Sequence, residues 1–449
     1  MQKKKIIATI ASLAIFFCAS LFLNAQAVYQ RANDYTINLA RAFGRELFDL
    51  NGVPYLQPLV ETINSTSNSG FFNRAYVPKN VEKPYFRVGL KGMLGFVRDD
   101  MKSYSPNMPN EPLDTIKLFQ YINFKIDLND PRNPKFVVTG IPDTAALILY
   151  AFKVYAHRGL ETKLIKLPES APTILGYDER AIYIPRYVLD SLVRSYPVIP
   201  IINKPLFDVL PDSLRATILM AVGQFPEYFT LPKGGNINSI IAGIPQLEIG
   251  SLYGTELLLR FIPPVYMGEN IGDFSFWGLG LKHSLSQYFE SPIDIAFQTV
   301  YQGTYLNNKV GVTNSELKAL ATIWDFNLEF GKRFEDIIDF YAGFSYELLS
   351  IKSDFTYYLP IETQAQLGLL EMIKIGELPN GQPIYRILPP DASRGFPGDT
   401  EPQKTKIKIN DENFKFIFGL SRSFGPVTFF IDYSLSKFNI LSGGIEFKF

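Results

Sequence analysis

Apolar and polar residues alternate with a period of two along much of the chain. In the clearest run, Trp324, Phe326, Leu328 and Phe330 alternate with Asp325, Asn327, Glu329 and Gly331. Similar runs cover residues 85–96, 118–128, 257–261, 293–302, 340–349, 414–421 and 427–435. Successive side chains of a strand point to opposite faces, so each run predicts a β-strand with one large apolar face and one polar face.

Alternation alone also fits a soluble β-sandwich. The runs are about 9–12 residues long, which suits membrane-crossing strands better than the usual strand of a globular sheet. The links between them also alternate: short links near 252–254, 289–292, 335–337 and 425–426 are interleaved with long links at 263–273, 306–319 and 352–411. Short periplasmic turns and long external loops are typical of outer-membrane barrels.

Two regions do not follow the two-residue period. Residues 33–63 predict helices, with Asn33 and Asp34 as caps, a second helix after Pro54 and a polar breaker at 64–70. Residues 168–245 are rich in Pro and partly helical, whereas residues 145–156 are interpreted as another strand.

We therefore predict an all-β membrane protein, an antiparallel transmembrane β-barrel of roughly 12–14 strands. Residues 28–84 would form an N-terminal helical plug, and residues 85–449 the barrel. The barrel would carry the partly helical insertion at about 168–245 and a long external loop at about 352–411.

The first 27 residues have the pattern of a cleaved signal peptide. Three lysines, Lys3 to Lys5, precede an apolar run from Ile6 to Leu23, and Ala25-Gln26-Ala27 supplies a cleavage site. An uncleaved transmembrane anchor is the alternative, because the run is just long enough to span a bilayer. Cys18 lacks the small preceding residues of a lipidation site. We expect export to the outer membrane of a Gram-negative bacterium.

Composition excludes several other functions. The chain has 449 residues with 44 Lys and Arg against 44 Asp and Glu, so no basic excess indicates nucleic-acid binding. One Cys and two His cannot build a Cys/His zinc cluster, and we predict neither a metal nor a cofactor. An enzyme is not expected: His283 lies near Ser284 and Ser286, but Leu285 occupies the place where outer-membrane lipases have their serine.

The polar strand faces supply the candidate site residues. Five charged residues are predicted to line the lumen or contact the plug: Glu248, Glu256, Arg260, Asp325 and Glu329. In the simplest interpretation they are solvated lumenal charges that pair across strands. The functional interpretation is a selectivity lining or a plug anchor, for which Glu256 and Arg260, four residues apart on one strand face, are the best candidates.

The chain ends on an alternating strand with a terminal aromatic residue. Counting back by twos gives Phe449, Phe447, Ile445 and, further on, Leu441. This pattern is typical of the signal read by the outer-membrane insertion machinery, because an amphipathic edge strand can add to an open sheet edge. The machinery and the outer-membrane lipids are the expected partners.

Three stretches resemble a family of uncharacterised bacterial outer-membrane proteins, described only as a domain of unknown function. They are Tyr55–Leu59 with Asn68–Ala75, Gln246–Gly250 with Gly254–Pro263, and Gly278–Leu285. The resemblance implies a barrel but no known substrate. More remotely, the layout is similar to FadL-type transporters of hydrophobic compounds, which have an N-terminal hatch.

These features leave three hypotheses for function. The first is an outer-membrane barrel that binds or passes a small hydrophobic solute. The second is a structural or adhesive barrel with a closed lumen and interactions through its loops. A surface lipase is the least favoured.

Overall fold

A computed structural model describes residues 31–127, 129, 135–199, 203–266, 272–310, 315–334, 338–378 and 383–449. The predicted signal peptide, residues 1–27, and Cys18 within it lie outside the described residues.

In the described part of the chain, ten antiparallel strands form a closed barrel in which chain neighbours pair and the first strand pairs with the last. The strands are β1 (Tyr85–Phe96), β2 (Ser239–Leu252), β3 (Thr255–Tyr266), β4 (Asp273–Ser284), β5 (Asp294–Val310), β6 (Ser315–Phe334), β7 (Ile338–Tyr357), β8 (Gln403–Phe424), β9 (Val427–Leu435) and β10 (Ile440–Lys448). The closing seam runs from Arg87 opposite Lys448 to Gly95 opposite Ile440.

Alternation along each strand separates an outer apolar face from an inner polar face. On β6, Trp324 is 47% exposed, whereas Asp325, Asn327 and Glu329 are fully buried inside. The sequence therefore assigned the two faces of this strand correctly.

The predicted count of 12–14 strands is wrong, because two predicted strands lie outside the barrel. Residues 145–156 belong to a helix, Thr144–Glu161, whose N-cap Asp143 accepts a hydrogen bond from the Ala146 N–H. A short apolar run fits a helix and a strand equally well, and the cap decides between them. Residues 118–128 divide into the end of a helix, Thr115–Gln120, and a short strand, Asn123–Asp127.

Four consecutive strands of the barrel are longer than is needed to cross a bilayer. From β5 to β8 they have 17, 20, 20 and 22 residues. The predicted long link at 306–319 is thus mostly strand. For the same reason the predicted loop at 352–411 is shorter, spanning 358–402.

The barrel has two different ends. The end with the tight link at 253–254, the turn at 425–426 and Phe449 is called the turn end. The opposite end carries residues 97–238, inserted between β1 and β2, and the loop 358–402; together these form the cap. The insertion thus begins well before the predicted residue 168, because the segments taken for strands are part of it.

The cap is mixed helical and β. The N-terminal helix is α1 (Asp34–Ser67). The helices of the cap are α2 (Thr115–Gln120), α3 (Thr144–Glu161), α4 (Arg186–Ser195), α5 (Leu206–Val209), α6 (Asp212–Gln224) and α7 (Ile361–Gln366). The described residues of the cap also form five two-stranded sheets, which join Ser103–Tyr104 to Ala171–Pro172, Asn123–Asp127 to Lys135–Gly140, Ala181–Tyr183 to Tyr228–Thr230, Val198–Ile199 to Lys204–Pro205, and Met372–Glu377 to Pro383–Ile387. None of the described helices is long and apolar enough to cross a membrane.

Helix α1 is one element of 34 residues that contains Pro54 and Pro58, rather than two helices separated before Pro54. It also continues through the polar stretch that was predicted to break it. There Asn64 and Thr66 return side-chain hydrogen bonds to the carbonyls of Val60 and Thr62, at 2.7 Å each. These bonds give the Asn64 amide nitrogen and the Thr66 hydroxyl group partners within a helix that is buried on most sides.

The chain passes through the barrel from the cap to the turn end. Residues 34–50, the cap half of α1, pack within the cap, where Phe43 lies 4.6 Å from Phe229 between ring centroids. Residues 51–76, the lumenal segment, descend inside the barrel, and the chain then reaches β1 at Tyr85. Residues 28–84 were predicted to form a plug, but the first half of the helix lies at the cap end and not inside the barrel.

Candidate functional site

The lumen of the barrel is the site at which most of the buried charges converge. Charged side chains on the inner wall have exposures between 0% and 6%: Arg87, Lys91, Glu248, Glu256, Arg260, Lys282, Asp325, Glu329, Asp339, Glu347, Lys415, Asp432 and Glu446. Charges this deeply buried require partners. Many of those partners come from the lumenal segment.

Asn68 connects three neighbouring strands. Its Nδ2 donates to Asp325 Oδ2 on β6, at 2.9 Å, and to Glu347 Oε1 on β7. Its Oδ1 accepts from Gln302 Nε2 on β5. One amide at the end of α1 therefore binds the inner wall across β5, β6 and β7.

Two basic side chains hold backbone carbonyls where α1 ends. Lys415 Nζ on β8 donates to the carbonyls of Ser65 and Asn68, at 3.0 and 2.8 Å. Arg260 on β3 donates from Nη1 to the Ser67 carbonyl at 3.1 Å and from Nη2 to the Ser69 carbonyl at 2.9 Å. The last carbonyls of a helix have no partner within it and carry partial negative charge, so cations are well placed there.

Arg74 forms a second centre nearer the turn end. Its Nη2 lies 2.6 Å from Glu248 Oε2 on β2, and its Nη1 lies 2.8 Å from Glu446 Oε1 on β10. Its carbonyl accepts a hydrogen bond from Lys282 Nζ on β4. A single residue of the lumenal segment is therefore held by three strands.

Apolar contacts surround this polar layer. Toward the cap end, Tyr55, Leu56 and Val60 pack on a cluster of wall residues, Leu317, Ala321, Ile351, Phe355, Ile407 and Ile409. Nearer the turn end, Phe71 and Phe72 pack with Leu258, Val300, Tyr341 and Ile417. The Arg260 guanidinium carbon also lies 4.1 Å from the centroid of the Phe71 ring, close enough for a cation–π contact.

The five predicted lumenal residues are all buried on the inner wall, but they have different partners. Glu248, Arg260 and Asp325 bind the lumenal segment directly. Glu329 instead lies 2.6 Å from Lys282 Nζ. Glu256 binds Arg87 at 2.5 Å and Tyr85, both on β1, so of the pair proposed as a plug anchor only Arg260 contacts the segment.

The predicted terminal signal lies on β10 and just beyond it. Leu441, Ile445 and Phe447 are outside the buried inner set, and Phe449 is 77% exposed. The Phe449 backbone extends the seam, because its N–H donates to the Phe86 carbonyl at 2.8 Å.

The sequence did not reveal the residues of the segment that matter most. Asn68 was assigned to a polar breaker, and Arg74 was quoted only within a stretch of family resemblance. A usable signal was present: an excess of inward-facing acidic residues on β2, β6, β7 and β10 calls for basic or amide partners, and residues 64–74 supply them.

The serine and histidine pair has no catalytic geometry. His283 Nδ1 lies 2.8 Å from Thr255 Oγ1, and Nε2 lies 2.9 Å from both the Tyr288 hydroxyl and Gln287 Nε2. Ser284 instead faces Ser286, with 3.4 Å between their hydroxyl oxygens. Among the described residues no cluster of three or more His, Cys, Asp or Glu could hold a metal ion.

The fold and its filled lumen define a closed antiparallel barrel that contains part of its own chain. The chain belongs to the family of unknown function DUF6588, whose model matches residues 2–449. No curated protein matches the sequence.

Solved structures with some likeness include three barrels from two bacteria. Pseudomonas aeruginosa OpdK with vanillate is 9% identical, with 82% of this chain and 99% of that chain covered and a TM-score of 0.11. Pseudomonas aeruginosa OpdO is 8% identical, with 83% and 98% covered and a TM-score of 0.12. Acinetobacter baumannii OccAB4 is 8% identical, with 83% and 99% covered and a TM-score of 0.13.

Proposed function

We propose that this protein is an outer-membrane β-barrel of a Gram-negative bacterium with a closed lumen and with its interactions in the cap. The membrane assignment rests on the outer face of the barrel. Large apolar side chains on it are 37–57% exposed, among them Leu90, Trp277, Trp324, Leu328, Phe344, Phe414, Phe416, Phe418 and Ile431. A continuous exposed apolar surface of this kind calls for lipid or a protein partner, and lipid fits a closed barrel.

The cap end faces outward in this proposal. Barrels of the outer membrane place short turns in the periplasm and long loops outside. The turn at 425–426 and the chain end lie at one end, whereas residues 97–238 and 358–402 lie at the other. The cap is therefore the part of the protein that meets external partners.

The closed lumen rests on one observation: the polar layer around Asn68 and Arg74 fills the barrel from wall to wall. Asp325, Glu329 and Lys415 within it are completely buried. Barrels with an aqueous channel have many more strands than ten, whereas small barrels have filled interiors. This favours a structural or adhesive role over passage of a hydrophobic solute through the lumen.

Liposome swelling tests the closed lumen. We expect liposomes containing the purified, folded protein to take up small sugars and amino acids no faster than empty liposomes. Liposomes containing a general porin are the positive control. Solute entry above the empty-liposome rate that scales with protein content would overturn the proposal.

Surface digestion of intact cells tests the orientation. A protease added outside should cut residues 97–238 or 358–402 and leave the membrane-embedded strands protected. Cleavage only after the outer membrane is permeabilised would place the cap in the periplasm.

A second candidate, binding of a small hydrophobic compound, is favoured by an apolar cavity in the cap. The cavity has a volume of about 40 Å³, and its lining includes Leu147, Phe152, Val193, Leu206 and Ala221. This is more room than a single water molecule needs, in a lining that offers water few partners.

A cavity-filling variant tests this second function. We expect an environment-sensitive apolar dye to bind the wild type and to bind Ala221→Leu more weakly, since the added side chain occupies the cavity. Met220→Leu, at a neighbouring exposed position, is the control. Equal dye binding by all three proteins would exclude the cavity as a ligand site.

The expectation that the protein is not an enzyme stays a prediction.

A further inference from the structure

We propose that the lumenal segment is a fixed internal scaffold around which the barrel closes during folding. Arg74 is the residue of the segment that binds the strands on both sides of β1 at the closing seam. This goes beyond the proposed function, because it concerns how the barrel is assembled and which side the N-terminal end occupies. Two independent features of the structure carry the inference: the distribution of wall contacts and the path of the chain.

The wall contacts come from almost every side of the barrel. Eight of the ten strands hydrogen-bond to residues 65–74 through the side chains of Gln246 and Glu248 on β2, Arg260 on β3, Lys282 on β4, Gln302 on β5, Asp325 on β6, Glu347 on β7, Lys415 on β8 and Glu446 on β10. A movable gate would have to break these bonds together and leave several charges buried without partners, which is strongly unfavourable. The distribution therefore fits a scaffold.

Arg74 lies where the sheet closes on itself. The seam joins β1 to β10, and β2 is the other neighbour of β1. Arg74 binds Glu446 on β10 and Glu248 on β2, and so spans β1. Arg87 on β1 lies 3.5 Å from Glu248 and 3.7 Å from Glu446, within the same ionic group. The three strands that meet at the seam thus share one charged cluster with the lumenal segment.

The path of the chain requires closure to follow insertion of the segment. The cap half of α1 is fixed at the cap end, where Arg41 lies 2.8 Å from Asp399 and the Ala32 N–H donates to the Leu367 carbonyl at 2.9 Å. The chain emerges at the turn end, where the Gly254 N–H donates to the Lys79 carbonyl at 3.2 Å. If the barrel closed first, residues 31–50 would have to pass through the lumen, and a helix with its side chains is about 10–12 Å wide in a lumen that one helix fills. The barrel therefore closes around the segment.

One experiment separates a scaffold from a gate in the full-length, folded protein. A recognition site for a specific protease replaces residues 79–83, where Lys79, Glu82 and Lys83 are exposed at the turn end. The protein is reconstituted in a planar bilayer and cut after folding. A matched variant carries the same site at 392–395, an exposed stretch of the cap loop.

We expect the cut fragment to stay bound on unheated gels and to separate only on boiling, with no new channel current from either variant. A current that appears only after cutting at 79–83 would show that the segment moves as a gate and would overturn the proposal. Loss of the fragment from a barrel that stays folded would overturn it as well. Solute entry through the uncut protein would contradict the proposed function instead, so the two failures are distinguishable.

Cysteine labelling tests the path of the chain independently. In a Cys18→Ala background, Arg31→Cys places a thiol at the N-terminal end of the described chain, and Glu290→Cys places one in an exposed link at the turn end. A membrane-impermeant maleimide added to intact cells should label Arg31→Cys and not Glu290→Cys. After permeabilisation both should react. Labelling of Glu290→Cys alone in intact cells would mean that the cap end faces the periplasm, and equal labelling of both would contradict the threaded path.

Discussion

The two halves of the N-terminal segment are held in opposite ways. In the cap half, Phe43 is fully buried and its ring contacts those of Phe152, Phe225 and Phe229 at centroid distances of 4.6–5.9 Å. In the lower part of the lumenal segment, Asn68 and Arg74 are also buried but bind charged and amide groups. The same chain thus changes from apolar to polar anchoring as its surroundings change.

This difference explains why the helical pattern of the sequence was only rough. In the cap half the buried residues other than Thr36 are apolar, and Ile37, Ala40, Phe43 and Leu47 among them recur at helical spacing. Further on, Asn51, Thr62, Asn64 and Thr66 are buried as well. A hydrophobic period marks only the faces that meet an apolar partner, so a helix that enters a polar lumen loses it.

The largest expected effect on stability comes from breaking the polar contacts of the lumenal segment. Arg74→Met removes the nearest cation of two buried carboxylates and leaves Arg87 as a more distant one, and we expect a loss of about 3–5 kcal/mol in the free energy of unfolding. Urea titration followed by mobility on unheated gels measures it. The triple variant with Glu248→Gln and Glu446→Gln should recover part of the loss, because neither carboxylate remains, although Lys91, whose Nζ lies 3.8 Å from Glu446, then loses that charge. A loss below about 1 kcal/mol for Arg74→Met alone would mean that water replaces the guanidinium.

Breaking the apolar contacts of the cap half should destabilise the cap and leave the barrel folded. Phe43→Ala opens a cavity in the cap core, which costs about 3–5 kcal/mol for a buried Phe. We expect faster proteolysis within residues 97–238 while the barrel keeps its mobility on unheated gels. Leu50→Ala, at a side chain that is 45% exposed, should stay within about 0.5 kcal/mol of wild type. Unfolding of the barrel together with the cap in Phe43→Ala would show that the two halves are not independent.

The cost of a charged side chain on the outer face of the barrel should depend on its depth in the bilayer. Phe326→Arg near the middle of the bilayer should cost about 2–4 kcal/mol, whereas Leu320→Arg, nearer the cap end of β6, should cost about 0–1 kcal/mol. Refolding titrations in liposomes compare them. Equal costs would mean that β6 does not cross lipid in this register.

The filled lumen also sets the cost of a charge on the inner face of β6. In an open lumen Asn327→Arg would be mild, but Asn327 is completely buried and donates from Nδ2 to Gln298 Oε1 at 3.2 Å. We now expect it to cost at least as much as Phe326→Arg.

The smallest effect on stability is expected at the chain end. Deleting Phe449 removes an exposed side chain and one backbone pairing with Phe86, so the folded barrel should lose little stability. If the terminal aromatic is read during insertion, assembly should nevertheless slow. Pulse-chase labelling with unheated gels measures the rate, and an unchanged rate would remove Phe449 from the assembly signal.

The sequence predicted the barrel wall well because alternation records which side of a strand meets apolar surroundings. Trp324 and Asp325 could be assigned to opposite faces without a structure. The cap was harder, because the apolar run at 145–156 lacks a period that separates helix from strand. The contacts of Asn68 and Arg74 could not be predicted, since strand periodicity does not state what occupies the lumen.

Hydrogen exchange of the folded protein in lipid nanodiscs compares the lumenal segment with the wall that encloses it. Amides of residues 51–76 should exchange about as slowly as those of β5 to β8. Residues 79–84, exposed at the turn end, should exchange quickly in the same sample. Exchange of residues 64–76 as fast as that of 79–84 would show that the segment is not held in the lumen.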